Sequence, residues 1–176
     1  MKAKLLITFF ALIAGPAFAS EETTPKSVSA LIIDAAKPWS EQGFRVGKAE
    51  ECMNWTRIVM QTACGASFAT LQTLKPWDGD VLSPEDKLAP DMADSLAGDE
   101  LGTKITSLDE IKAGDLVFFK NTYGNWAPGV ITHVGIAVGN GEYMHRMTSN
   151  KGIVKTQAIP AGDFAYGMRL DEKLCK

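Results

Sequence analysis

The stretch THVGIAVGNGEYMH, residues 132–145, decides how this chain reads. Two runs of alternating apolar and small or polar residues flank Gly139-Asn140-Gly141, the composition of a tight β-hairpin. The chain's only two histidines, His133 and His145, sit one in each run. Their relative orientation depends on the parity of the loop. A two-residue Asn140-Gly141 loop sets His133 opposite Thr148 and His145 opposite Ile136, with the imidazoles on opposite faces. A three-residue Gly139-Asn140-Gly141 loop sets His133 opposite Met147 and His145 opposite Gly135, so both rings stand on one side as diagonal neighbours. That register also gathers Val134, Ile136 and Val138 on the other, buried face. It leaves small Gly135 and Ala137 beside His133, where a helix end can approach. Apolar alternation therefore favours the three-residue loop without any appeal to chemistry.

Upstream of the hairpin the periodicity is helical. Ser27 caps a helix carrying Val28, Leu31, Ile32 and Ala35 on one stripe, and Pro38 ends it. A second helix carries Cys52, Trp55, Val59, Met60 and Ala63 and stops at Gly65. Residues 66–74 continue helically after a break, and 75–82 read as loop. Ser83-Pro84-Glu85 opens a further helix that ends before Gly98. Strand patterns follow at 116–119, 130–138, 142–147, 153–159 and 164–170. Helices followed by a meander, with no repeat and no linker, predict one α+β domain: N-terminal helices packed on a C-terminal antiparallel sheet of about five strands.

Residues 1–19 read as a cleaved export signal rather than part of the fold. Lys2 and Lys4 precede an apolar run from Leu5 to Gly15, and Ala17-Phe18-Ala19 offers small residues where a signal peptidase reads. The run is shorter than the roughly 20 residues that span a bilayer, and no later segment makes a stable membrane anchor. Residues 20–176 have the size of a single domain. A net charge of -3 with no basic cluster lacks the electrostatic footprint of a nucleic-acid binder.

Export to an oxidising space makes the three cysteines informative. Cys52 and Cys64 are twelve residues apart on one helix. At about 1.5 Å per residue that is roughly 18 Å, beyond the roughly 7 Å limit for a disulfide. Cys64 can pair with Cys175 and tie down the C-terminus, or it is a small buried residue and Cys175 is loose. The pairing is the expectation, and under both readings Cys52 stays reduced.

A thiol at a helix start with two imidazoles on one hairpin is the set a cysteine nucleophile requires. The helix N-terminus and an imidazolium are expected to lower the Cys52 pKa, with Glu50 and Glu51 opposing. His133 takes the thiol proton and returns it to the leaving amine. His145 bonds the far nitrogen of His133 and orients it, and the Cys52 N–H is an oxyanion donor. Taken singly, a cysteine or a histidine in an apolar element is more often a core residue; their joint placement reverses that balance. Zinc held by Cys52, His133 and His145 is chemically allowed. The spacings match no zinc signature, so neither a metal nor a cofactor is expected.

The runs KAGDLVFF (112–119), HVGIAVGNGEYMH (133–145) and GIV (152–154) together resemble the NlpC-type cell-wall cysteine peptidases. These are papain-like enzymes that cut peptide bonds in peptidoglycan stems. The resemblance implies a papain-like fold, Cys52 as nucleophile, His133 as base and His145 as the third polar residue, with Asp115 shaping a turn. It also implies peptidoglycan or its stem peptides as the partner, which suits the periplasmic or secreted location expected from the signal at residues 1–19. Members usually carry Asp-Cys-Ser-Gly at the nucleophile, where the Asp and Ser hold the free amine of the stem. Here the run is Glu51-Cys52-Met53-Asn54, and the members' upstream Pro-Tyr is Pro38-Trp39. Trp39 and Glu51 are thus the positions where altered substrate recognition is expected. The sequence reads as a divergent member that hydrolyses an amide bond in stem peptides. An acyltransferase or thioesterase using the same thiol is a second reading, and a catalytically inert cell-wall binding module is a third.

Overall fold

The computed structural model describes residues 25–44, 51–65, 101–123, 129–147 and 152–175. The export-signal reading of 1–19 and the helix and loop readings over 66–97 lie outside the described residues. Helix α1 spans Val28–Ala36, and the Ser27 side chain accepts from the Ala30 N–H, as its capping position requires. Its buried stripe is Val28, Ile32 and Ala36. As expected, α1 ends just ahead of Pro38, which sits near the start of a separate 3₁₀ turn over Lys37–Trp39, where its missing N–H costs nothing. Helix α2 spans Glu51–Cys64. Gly65 closes it with φ of 63° and donates its N–H to the Gln61 carbonyl at 2.8 Å.

Six strands form one antiparallel sheet, β1 (Gly102–Ile105), β2 (Leu116–Lys120), β3 (Ile131–Gly139), β4 (Glu142–Arg146), β5 (Val154–Ala158) and β6 (Phe164–Leu170), in the order β1-β6-β2-β3-β4-β5. The count exceeds the expected five by β1. That short edge strand buries only Ile105 and gains its conformation by pairing with β6, so it has no alternation of its own to read. The remaining strands fall where the pattern placed them, within one or two residues at their ends.

The sheet is buried on both faces at its centre. Leu116, Phe118, Val134, Ile136 and Met144 join Trp55, Val59 and Met60 of α2 in the main core. Val117, Phe119, Ala137 and Tyr143 form a second cluster on the other side. A buried β2 therefore reads as a continuous apolar run. Ahead of it, Asp115 is almost fully buried. It accepts the Lys112 N–H at 2.7 Å and takes both Nε and Nη2 of Arg169, at 3.1 and 2.8 Å, so it shapes the turn into β2. A disulfide joins Cys64, at the end of α2, to Cys175 in the last 3₁₀ turn, 111 residues away in sequence. Cys52 is a free, buried thiol.

Candidate active site

The hairpin reaches the expected register by a different route. The turn itself is Asn140-Gly141, both with positive φ (55° and 73°), as a type I′ turn requires. Ile136 then pairs with Met144 and Ala137 with Tyr143, but Gly139 pairs with Glu142, so Val138 is the extra residue of a β-bulge. The two-residue loop plus one bulged residue gives the same parity as the three-residue loop. Both histidines consequently project to one side.

Among the described residues, the β3–β4 ladder ends at Ile136–Met144, while β3 continues along β2 and β4 continues along β5 to Arg146. Beyond that point the strands are joined by side chains. His133 Nε2 lies 2.9 Å from His145 Nδ1, with the rings edge to face at 5.0 Å and 82°. Tyr143 lies against His145 with centroids 4.5 Å apart. Phe119 packs against both Tyr143 and His133, at 4.7 and 5.9 Å. These aromatic walls hold the imidazole pair in one geometry.

Cys52 occupies the first turn of α2, the helix that packs on β3 and β4. The backbone amides of Val134, Met53 and Cys52 itself favour its thiolate, and its side chain shares the main core with Val134 and Met53. Val134 is the neighbour of His133, so the thiol lies beside the strand that carries His133. Cys52 keeps 8% of its surface exposed and His133 keeps 3%, whereas His145 has none. All three side chains are thus buried.

Burial dominates the electrostatics here. It pushes the Cys52 thiol up, and the three amides only partly oppose it. The low thiol pKa expected from a helix start and an imidazolium is therefore not present. No imidazolium is available, because burial, with His145 adding, pushes His133 down to about 3. Burial likewise pushes His145 down to about 4, opposed by the side chain of Gln157. The resting site is a neutral thiol with two neutral imidazoles.

Of the two residues expected to recognise substrate, Trp39 is half-buried and meets Phe44 edge-on at 5.5 Å. The Phe44 carbonyl in turn accepts from Arg146 Nε at 3.2 Å. Glu51 is the first residue of α2. Two polar residues at the site were not read from the sequence: Tyr143, and Gln157 of β5, which donates from Nε2 to the Tyr143 hydroxyl at 3.0 Å. Extending the register argument from β4 to β5 would have found them, since Tyr143 and Gln157 are cross-strand partners. A cavity of about 360 Å³ lies at the far end of the hairpin, lined by Leu108, Ile111, Ala137, Gly139 and Ile159 among others, and includes none of Cys52, His133 or His145.

Helices laid on an antiparallel sheet, with a thiol at a helix start and a histidine pair on adjoining strands, define the papain-like α+β class. The NlpC/P60 family model matches residues 48–164. The chain belongs to the NlpC/P60 family. Among solved structures it is similar to the NlpC/p60 domain of the peptidoglycan hydrolase SagA, with 23% identity and a TM-score of 0.50, covering 81% of this chain and 98% of that one. NlpC1 from Trichomonas vaginalis matches at 20% identity and a TM-score of 0.51, over 88% of this chain and 48% of that one. The peptidoglycan hydrolase RipB from Mycobacterium tuberculosis matches at 16% and 0.50, over 82% and 65%. The chain thus spans about half of the Trichomonas protein and most of the SagA domain. No protein of curated description matches it.

Proposed function

We propose that this protein is an exported cysteine peptidase or amidase that cleaves an amide bond in peptidoglycan stem peptides. Cys52 is the nucleophile, His133 the general base and acid, and His145 the residue that orients His133. The observation that carries this reading is the buried 2.9 Å bond between His133 Nε2 and His145 Nδ1. Most buried polar side-chain atoms are hydrogen-bonded, and this pairing commits one nitrogen of His133 and leaves Nδ1 to serve a thiol. Membership of the NlpC/P60 family supports the reaction class. SagA and RipB, both described as peptidoglycan hydrolases, support the substrate class.

The mechanism follows from the neutral resting state. As the Cys52 sulfur attacks the carbonyl carbon, its proton passes to His133 Nδ1, and the imidazolium formed is held by His145 through Nε2. The carbonyl electron pair moves to oxygen, where the Cys52 N–H at the open end of α2 is an oxyanion donor. Collapse expels the amine, which takes the proton from His133 and leaves a thioester on Cys52. Water, deprotonated by His133, then attacks that thioester and regenerates the thiol. The test is mass analysis of muropeptides after incubation with the pure protein and with its Cys52→Ala form. New stem-peptide fragments with the wild type alone are expected. Their absence under all conditions, or equal cleavage by Cys52→Ala, would overturn the proposal. Products joined to an added acyl acceptor would identify transfer rather than hydrolysis.

A further inference from the structure

We propose that Gln157 is a positioning residue whose carboxamide oxygen takes the Nε2 proton of His145 while its nitrogen holds the Tyr143 hydroxyl, fixing the tautomer and plane of the His145 ring. The inference rests on the reading of His133 as the base. For His133 to receive a thiol proton at Nδ1, its Nε2 must carry hydrogen and donate to His145 Nδ1. A neutral His145 then carries its own proton on Nε2. That nitrogen is fully buried and, among the described residues, has no partner in complete hydrogen-bond geometry. An unsatisfied buried donor is costly, and an acceptor next to it will be drawn in.

Gln157 stands where that acceptor is needed. The β4–β5 register pairs Tyr143 with Gln157 and His145 with Lys155, so Gln157 is the diagonal neighbour of His145 on the same face. Its Nε2 is committed to the Tyr143 hydroxyl at 3.0 Å, which leaves Oε1 as the free end of the amide. Tyr143 is itself stacked on His145 at 4.5 Å, so one amide anchors both the ring and the ring that covers it. Gln157 also favours the protonated form of His145, as an acceptor does. The other titratable groups beside His145 are His133 on β3, Tyr143 on its own strand, and Lys155 opposite it on β5, whose charge is paired with Glu41 at 2.9 Å. Gln157 is the neutral acceptor in this set.

The chain has only two histidines, so ring-nitrogen spectra of the full ¹⁵N-labelled protein report each one separately. In the wild type, His145 is expected as the Nε2–H tautomer. Gln157→Leu should mix its tautomers and weaken its proton affinity. Isosteric Gln157→Glu, which keeps the fold even if the leucine form does not, should strengthen that affinity more than tenfold over Gln157→Leu. On stem peptides, Gln157→Leu should lower kcat about tenfold, the scale of one hydrogen bond, with KM unchanged. Identical tautomer and proton affinity for His145 in all three proteins would overturn the proposal. The parent reading fails separately: if His133→Ala stays fully active while residue 157 still governs the His145 tautomer, the base assignment is wrong and the positioning role stands.

Discussion

Tyr143 occupies the space that a side chain at position 135 would need: a Cβ on Gly135 would lie 2.6 Å from Tyr143 Cδ2 and 2.7 Å from the Met144 carbonyl oxygen. The aromatic ring can lie against His145, with centroids 4.5 Å apart, only because residue 135 has no side chain. Gly135→Ala must therefore shift β3 away from β4 or turn Tyr143 off His145. Overpacking of this kind costs about 1–3 kcal/mol. Denaturant titration should show that loss, and hydrolysis of stem peptides should fall with it, because the 2.9 Å bond between the histidines spans the same gap. An alanine variant with unchanged midpoint and rate would show that the strands accommodate the methyl group freely.

The disulfide offers a second test, remote from the chemistry. Cys64 and Cys175 are 111 residues apart, and closing a loop of that size is worth up to about 4.7 kcal/mol in the chain-entropy model. Cys175→Ser should lower the unfolding free energy by a few kcal/mol while leaving Cys52 reduced. Peptide mapping without prior reduction checks the pairing, and urea titration checks the loss. A bridge that includes Cys52 would contradict both the pairing and the nucleophile.

Much of this site was legible because one constraint served two purposes. Val134, Ile136 and Ala137 had to sort onto opposite faces, and the parity that sorts them also brings His133 and His145 together. The means of achieving it was not legible: Asn140-Gly141 satisfies a two-residue turn, and the parity is restored by a bulge at Val138, which has no sequence signature of its own. Strand β1 was missed because its only core side chain is Ile105. Helix position and an imidazolium are local features that favour a low Cys52 pKa, whereas burial, which pushes the thiol up, arises only when α2 packs on β3 and β4. Gln157 was invisible for a similar reason, because its importance depends on the β4–β5 register.

The neutral histidine pair makes stability depend on pH in a definite direction. Unfolded, each imidazole takes up a proton near 6.5, but folded His133 and His145 do so only near about 3 and about 4. Above pH 6.5 neither state binds these protons, and the pair contributes no slope. Below it the unfolded chain binds more protons than the native one, so stability falls progressively until the folded values are reached. Urea midpoints measured from pH 7.5 to 4 should fall, and His133→Gln should flatten the profile. The acid limb of kcat/KM should also lie well below 6.5, because the base stays neutral there. An acid limb centred near 6.5 would mean that His133 is solvated during catalysis.

Substitutions at the three site residues test the mechanism as a unit. Cys52→Ala removes the nucleophile and His133→Ala removes the base, so each should abolish hydrolysis while circular dichroism and thermal unfolding show an intact fold. Groups that work only together give losses that are similar in size and far from additive, so the double variant should be no worse than either single one. His145→Ala should cost less, because His133 keeps its place in β3 and loses only its orienting bond. His145→Asn should recover part of the rate, since an amide oxygen can accept from His133 Nε2. Because the Cys52 thiol is pushed up by burial, alkylation by iodoacetamide should be slow at pH 7 and accelerate above the ordinary thiol range, with Cys52 as the modified residue. Chelators should leave the rate unchanged, whereas a zinc site built from Cys52, His133 and His145 requires that they abolish it. Turnover by Cys52→Ala in a preparation free of other hydrolases would remove the thiol from the mechanism altogether.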